Sequence, residues 1–276
     1  MNRWISTAIV ACLGTAGLLA QQKGPRPKTQ NEAKAIQAVI TASQQNNPDG
    51  VITAAEDCLA KFKDTEFKDT ILFLEAQAYQ QKGDREKAQI YAERAVGANA
   101  NDFQAGLMLA ELTIQGTREH DLDRDDKLAK AEKYANQAIT AINAAEKPNP
   151  QLSDQQWTDV KKDMTAEGHD ALGMAALDRK DYPKAITEFK TAVDGAANVQ
   201  PAYEVRLASA YQSAGQNDDA IKVAEKVMNE AQTPAQIKSI AQSIRASAIV
   251  AKNGGKSPVQ QNNAPPQVQI NPQPKQ

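Results

Sequence analysis

The sequence predicts an all-α chain, an α-solenoid of stacked antiparallel helix pairs with about four repeats plus a capping helix. Three observations carry this. An alanine recurs in one setting, after a charged run and four positions before a small or aromatic residue, at Ala88, Ala131, Ala185 and Ala220, with Ala54 as a weaker first copy. The intervals between these alanines are 34, 43, 54 and 35 residues, so two of them fit one helix-turn-helix unit. Composition agrees: 41% hydrophobic and 24% charged, with 32 Lys and Arg against 34 Asp and Glu, describes a soluble globular protein. The near balance of sign excludes the basic stripe of a nucleic-acid binder.

The solenoid covers residues 31–252. Its first helix runs from Glu32 to Gln45 with Ala33, Ile36, Val39 and Ile40 at helical spacing, and Asn47-Pro48-Asp49-Gly50 stops it. Residues 51–62 supply the second helix through Ala55, Cys58, Leu59 and Phe62. This pair lacks the Leu-Gly signal seen later and reads as a capping repeat, because a terminal unit faces water on one side. The next copy runs Leu72, Ala76, Tyr79, Gly83-Asp84, Ala88, Ala92 and Ala95-Val96. Leu109-Ala110 marks the third, whose second helix is expected from Lys127 to Ile142, leaving an insert at about 117–125. A loop at about 144–152, with Pro148 and Pro150, then leads to Ser153-Asp154-Gln155-Gln156. That is a capping box, and it opens a long helix through Trp157, Val160 and Met164 into Leu172. The fourth copy is the clearest: Ala171-Leu172-Gly173, then Asp181-Tyr182-Pro183-Lys184-Ala185, Phe189 and Ala192-Val193. The fifth runs Leu207-Ala208, Tyr211, Gly215, Ala220-Ile221, Ala224 and Val227. Thr233-Pro234 is expected to cap a closing helix with Ile237, Ile240, Ile244 and Ala248 on one face.

A Leu-Gly pair, a turn, Ala185, an aromatic four residues later at Phe189 and Ala192 three after that resembles the tetratricopeptide repeat. Small residues at these points let antiparallel helices approach, while Leu, Tyr and Phe fill the space between repeats. The resemblance implies a non-catalytic scaffold without a cofactor that binds a protein or peptide in a concave face lined by the first helices. Counted from the Gly or Ala of each first helix, the implied inward positions are Phe73, Gln77 and Gln80, then Leu107, Glu111 and Ile114. Asp170, Met174 and Leu177 follow, then Val205, Ser209 and Gln212, with Arg206 the nearby cation. Such a mixed apolar and amide surface with two carboxylates favours an extended or helical segment with apolar anchors and some positive charge. The alternative is that Phe73, Leu107, Met174 and Leu177 only complete the helix packing. The alternative function is a structural component or tether of an envelope assembly, which the same scaffold serves. Neither reading sets an oligomeric state.

The ends and the polar motifs complete the reading. Residues 1–20 form an expected signal peptide, with Arg3 before an apolar run and Leu19-Ala20 before the cut, so the chain is expected to be exported, periplasmic or secreted. Ile9-Val10-Ala11-Cys12 resembles a bacterial lipobox and keeps a lipid-anchored form open. The apolar run is too short for a membrane span. Residues 21–30 read as a linker, and 253–276, rich in Pro, Gln and Asn, as a disordered tail unable to bury enough apolar surface. Once Cys12 is removed Cys58 has no disulfide partner and suits a buried core position. His120 and His169 belong to no catalytic pattern. Asp121, Asp123, Asp125 and Glu132 fall at positions 1, 3, 5 and 12 of a calcium loop, but Asp126 takes the glycine position. The expectation there is a metal-free loop whose acidic residues favour the start of a helix.

Overall fold

The computed structural model of the protein describes residues 24–148 and 151–253. The expected signal peptide, Cys12 and the tail beyond Asn253 lie outside the described residues. Among those residues the structure has eleven helices: α1 (Gln30–Gln44), α2 (Pro48–Lys61), α3 (Lys68–Gln81), α4 (Arg85–Ala98), α5 (Phe103–Gly116) and α6 (Arg124–Ala144). They continue as α7 (Asp154–Asp178), α8 (Tyr182–Gly195), α9 (Pro201–Ser213), α10 (Asn217–Asn229) and α11 (Ala235–Lys252). None is long and apolar enough to cross a membrane.

Local chemistry explains where the helices start. Asn47, Asp84, Asp102 and Asp181 each accept a backbone N–H of the first turn through a side-chain oxygen, at 3.0 to 3.3 Å. The capping box forms at α7: Ser153 Oγ accepts from Gln156 N at 3.1 Å, and Gln156 Oε1 accepts from Ser153 N at 2.9 Å. Thr233 does not cap α11. Its hydroxyl turns back to Glu230 Oε2 at 3.3 Å, and Pro234 occupies the cap position instead. The segment before α1 is tied down, since Arg26 N donates to Glu66 Oε2 at 3.0 Å and Lys28 Nζ to the Asp64 carbonyl at 2.7 Å.

Sequential helices pack as α1–α2, α3–α4, α5–α6, α7–α8 and α9–α10, and α11 closes the stack against α9 and α10. First helices also approach one another, α1 with α3, α5 with α7 and α7 with α9, more closely than the second helices do. The stack therefore bends so that first helices line its inner face. The recurring alanines Ala88, Ala131, Ala185 and Ala220 are fully buried at these contacts, but in the first pair that place belongs to Ala55, with Ala54 only partly buried. Gly173 shows why the position must be small: a Cβ there would lie 2.6 Å from the ring of Phe189, which is itself fully buried. The insert after α5 is the loop 117–123. Thr117 anchors it by donating to the Thr113 carbonyl at 2.7 Å.

Candidate functional site on the inner face

Three consecutive first helices bring their polar side chains together. On α5, Glu111 Oε1 accepts from Gln115 Nε2 at 2.8 Å, one turn further on. On α7, Glu167 and Asp170 stand one turn apart and so share a face. On α9, Arg206 Nη1 donates to Asp170 Oδ2, and Tyr203 lies one turn before it. Asp170 and Arg206 are buried, whereas Glu111 and Glu167 keep partial access to solvent. Asp170 Oδ1 has no hydrogen-bond partner.

The carboxyl groups all titrate high. Burial raises Asp170 to about 6, with Arg206 pulling it down and Glu111 pushing it up. Glu167, though partly accessible, is surrounded by enough protein to reach about 8, reinforced by the negative charges of Glu111 and Asp170. Burial likewise raises Glu111 against the pull of Arg206, Gln115 and Arg85. The Tyr203 hydroxyl is pushed up by burial and then by Asp170 and Glu167. Glu111 and Asp170 lie under the pull of Arg206, with Arg85 at the edge, while Glu167 adds a third carboxyl beside them that no arginine offsets, so the face is short of positive charge. Its chemistry suits an incoming cation or a hydrogen-bond donor.

The expected inward residues divide in two. Gln77, Gln80, Glu111, Met174, Leu177 and Gln212 are partly accessible. Phe73, Leu107, Ile114 and Val205 are buried in the core: Phe73 clusters with Leu72 and Met108, Leu107 with Ile142 and Met164, Ile114 with Leu128 and Leu172, and Val205 with Ala224 and Ile244. Ser209 is buried beside them. Glu167 and Tyr203 were not among the expected residues. The signal for Glu167 was spacing, since it precedes Asp170 by one turn in the extended part of α7.

The acidic insert uses its charges on lysine and arginine. Lys127 Nζ meets Asp121 at 2.8 Å and Asp123 at 2.9 Å, and Asp125 lies in the first turn of α6. Glu132, well inside α6, is held by Arg179 at 2.9 Å and Lys184 at 3.0 Å, which ties α6 to the α7–α8 turn. Among the described residues no three His, Cys, Asp or Glu side chains gather to hold a metal ion. His169 Nδ1 lies 2.7 Å from Glu188 Oε2, a contact between α7 and α8.

Residues 70–102, spanning α3 and α4, match the tetratricopeptide repeat family model. No curated protein matches the chain. Among solved structures it is similar to TTC0263, a thermophilic TPR protein of Thermus thermophilus, at 19% identity over 77% of this chain and 98% of that one, with a TM-score of 0.49. It is also similar to the assembly chaperone of RpL4 (Acl4, residues 1–338), at 11% identity over 82% of this chain and 100% of that one, with a TM-score of 0.45. Residues 70–102 thus match one tetratricopeptide repeat, set within a stack of antiparallel helix pairs.

Proposed function

We propose that the chain is a non-catalytic scaffold whose inner face captures a protein segment bearing a lysine or arginine between apolar anchors. The observation that carries this is the gathering of Glu111, Glu167 and Asp170, in which Arg206 pairs with Asp170 while Asp170 Oδ1 is left without a partner. Met174 and Leu177, partly accessible on α7, supply apolar contact beside the acidic groups. The amides of Gln77, Gln80 and Gln212 offer hydrogen bonds to an extended backbone. The test is selection from a displayed peptide library on the full chain. Enriched peptides are expected to carry a basic residue flanked by apolar ones, and Glu167→Lys should abolish their binding without loss of helicity. Enrichment of acidic peptides, or unchanged binding to Glu167→Lys, would overturn the reading.

The same proposal places the protein outside the cytoplasm. It rests on the charged start, apolar run and small residues of 1–20. Mass spectrometry of the mature protein is expected to find Gln21 at its N-terminus. A lipid-modified Cys12 would assign it to a membrane surface instead.

A further inference from the structure

Away from the inner face, α2 and α4 part to leave a cavity of about 270 Å³ whose lining includes α3. Glu56, Leu59 and Ala60 of α2 line it, with Glu75 of α3 and with Tyr91 and Arg94 of α4. Glu75 stands before Ala76 as Leu109 stands before Ala110, Leu172 before Gly173 and Leu207 before Ala208. A carboxyl group therefore occupies the place where three other pairs put a leucine. Glu75 is 0% exposed, and the Tyr91 hydroxyl acts on its carboxyl without making a well-formed hydrogen bond to either oxygen. Such a group is costly to bury unless something meets it.

The neighbours of Glu75 meet its need only in part. The Arg94 guanidinium lies over the Tyr91 ring, 4.7 Å from its centroid, and Tyr91 also stacks on Tyr79 at 5.1 Å. Burial raises the Glu75 carboxyl to about 7, against the Tyr91 hydroxyl, with Glu56 adding to the rise and Arg94 opposing it. With both carboxyls ionised, Glu56 and Glu75 outnumber Arg94 by one charge. Leu59, Ala60 and the Tyr91 ring offer apolar wall beside them.

We propose that this cavity is a binding site for an alkylammonium group of the kind a lysine side chain carries, with Glu75 as its acceptor. An ammonium brings three N–H donors on a slim apolar stem, which suits a buried carboxyl that lines a partly apolar cleft and is only partly met by the Tyr91 hydroxyl. The site lies between second helices, so it is separate from the acidic face of α5, α7 and α9 and does not depend on it.

The test is an NMR titration of the full chain at pH 8 with n-butylammonium chloride and with Nα-acetyl-lysine methylamide. Butan-1-ol serves as the uncharged control. Both ammonium probes should give saturable shifts at Leu59, Glu75 and Tyr91, and butanol none. Affinity should fall about tenfold at pH 6, because a carboxyl titrating near 7 is then mostly protonated. Glu75→Gln and Glu75→Leu should both lose binding, while Glu75→Leu melts higher than the parent, which separates lost binding from lost fold. Tighter binding of the blocked lysine assigns the site to a protein side chain, and tighter binding of butylammonium to a free amine. Either outcome supports an ammonium site. An equal response to butanol, binding retained in Glu75→Leu, or affinity indifferent to pH would overturn it. So would a lower melting point for Glu75→Leu together with no ammonium response, the signature of a carboxyl that only supports Tyr91.

Discussion

The second and fourth helix pairs solve one packing problem in two ways. In the fourth, Gly173 on the first helix faces Phe189 on the second, four residues beyond Ala185. In the second, Ala76 shares its cluster with Ala92, four residues beyond Ala88. The third and fifth pairs follow the second, with Ala110 and Ala135 in one cluster and Ala208 and Ala224 in another. A glycine and a phenylalanine thus substitute for two alanines, and the volume is exchanged across the contact. The second pair then departs at the preceding position, where Glu75 replaces the leucine that the fourth pair carries as Leu172. One pair spends the position on a filled core and the other on a carboxyl beside a cavity.

The largest effect should come from breaking the filled pair. Phe189→Ala is expected to cost about 3–5 kcal/mol in urea unfolding, since a fully buried ring is removed. Gly173→Ala alone should cost about 1–3 kcal/mol by driving its Cβ into that ring. If size is truly exchanged, the double variant rebuilds the alanine pair of the other repeats and costs less than the two singles together. Simple additivity would show that the exchange is coincidental.

The next effect comes from making the second pair like the fourth. Glu75→Leu should stabilise by about 1–3 kcal/mol, because a buried polar group that Tyr91 only partly satisfies gives way to an apolar one. The gain depends on pH. The folded carboxyl titrates at about 7, above its ordinary value of 4.5, so the native state holds the proton more tightly than the unfolded chain. Its favourable contribution is present below about 4.5 and is lost as pH rises through about 7. Urea curves should therefore show the parent losing stability between pH 5 and pH 8 relative to Glu75→Leu. A gain that is larger at pH 5 would mean that the carboxyl is satisfied in its ionised form.

How much of this was legible in the sequence depends on which physical signal each feature leaves. The helix pairs leave a repeated one, because small residues at close contacts recur with each unit, and Leu172-Gly173 before Phe189 displays the whole contact in local spacing. The capping box at Ser153 also formed, since its partners are neighbours in the chain. Thr233 misled for the opposite reason: its cap competes with Glu230, whose reach only the folded turn decides. On the inner face, register alone did not separate Phe73 and Leu107, which enter the core, from Gln77 and Glu111, which keep access to solvent. Adjacent turns of a first helix meet different neighbours as the stack bends. Glu75 was hidden by composition, because a glutamate in a helix ordinarily reads as a solvated face, and only its alignment with Leu109, Leu172 and Leu207 marks it as misplaced.

The smallest effect concerns the turn that joins the two helices of a pair. Gly83 and Gly215 hold φ at 77° and 76°, and the fourth pair puts Lys180 in the same place at 62°. A lysine in the left-handed region carries a strain that glycine does not. Against this, Lys180 Nζ reaches Glu119 in the insert at 3.0 Å, but both side chains are exposed, so water and salt screen the pair. Relief of backbone strain should win, and Lys180→Gly is expected to raise the melting temperature by roughly 1–3 °C, the equivalent of about 0.5–1 kcal/mol for a chain of this size. The reverse changes, Gly83→Ala and Gly215→Ala, should lower it by a similar amount. At both glycines a Cβ would meet nothing within 4 Å, so any loss measures the backbone alone. A fall in melting temperature for Lys180→Gly would show instead that the tie to Glu119 holds the insert against the fourth pair. In that case Glu119→Gln should reproduce the loss.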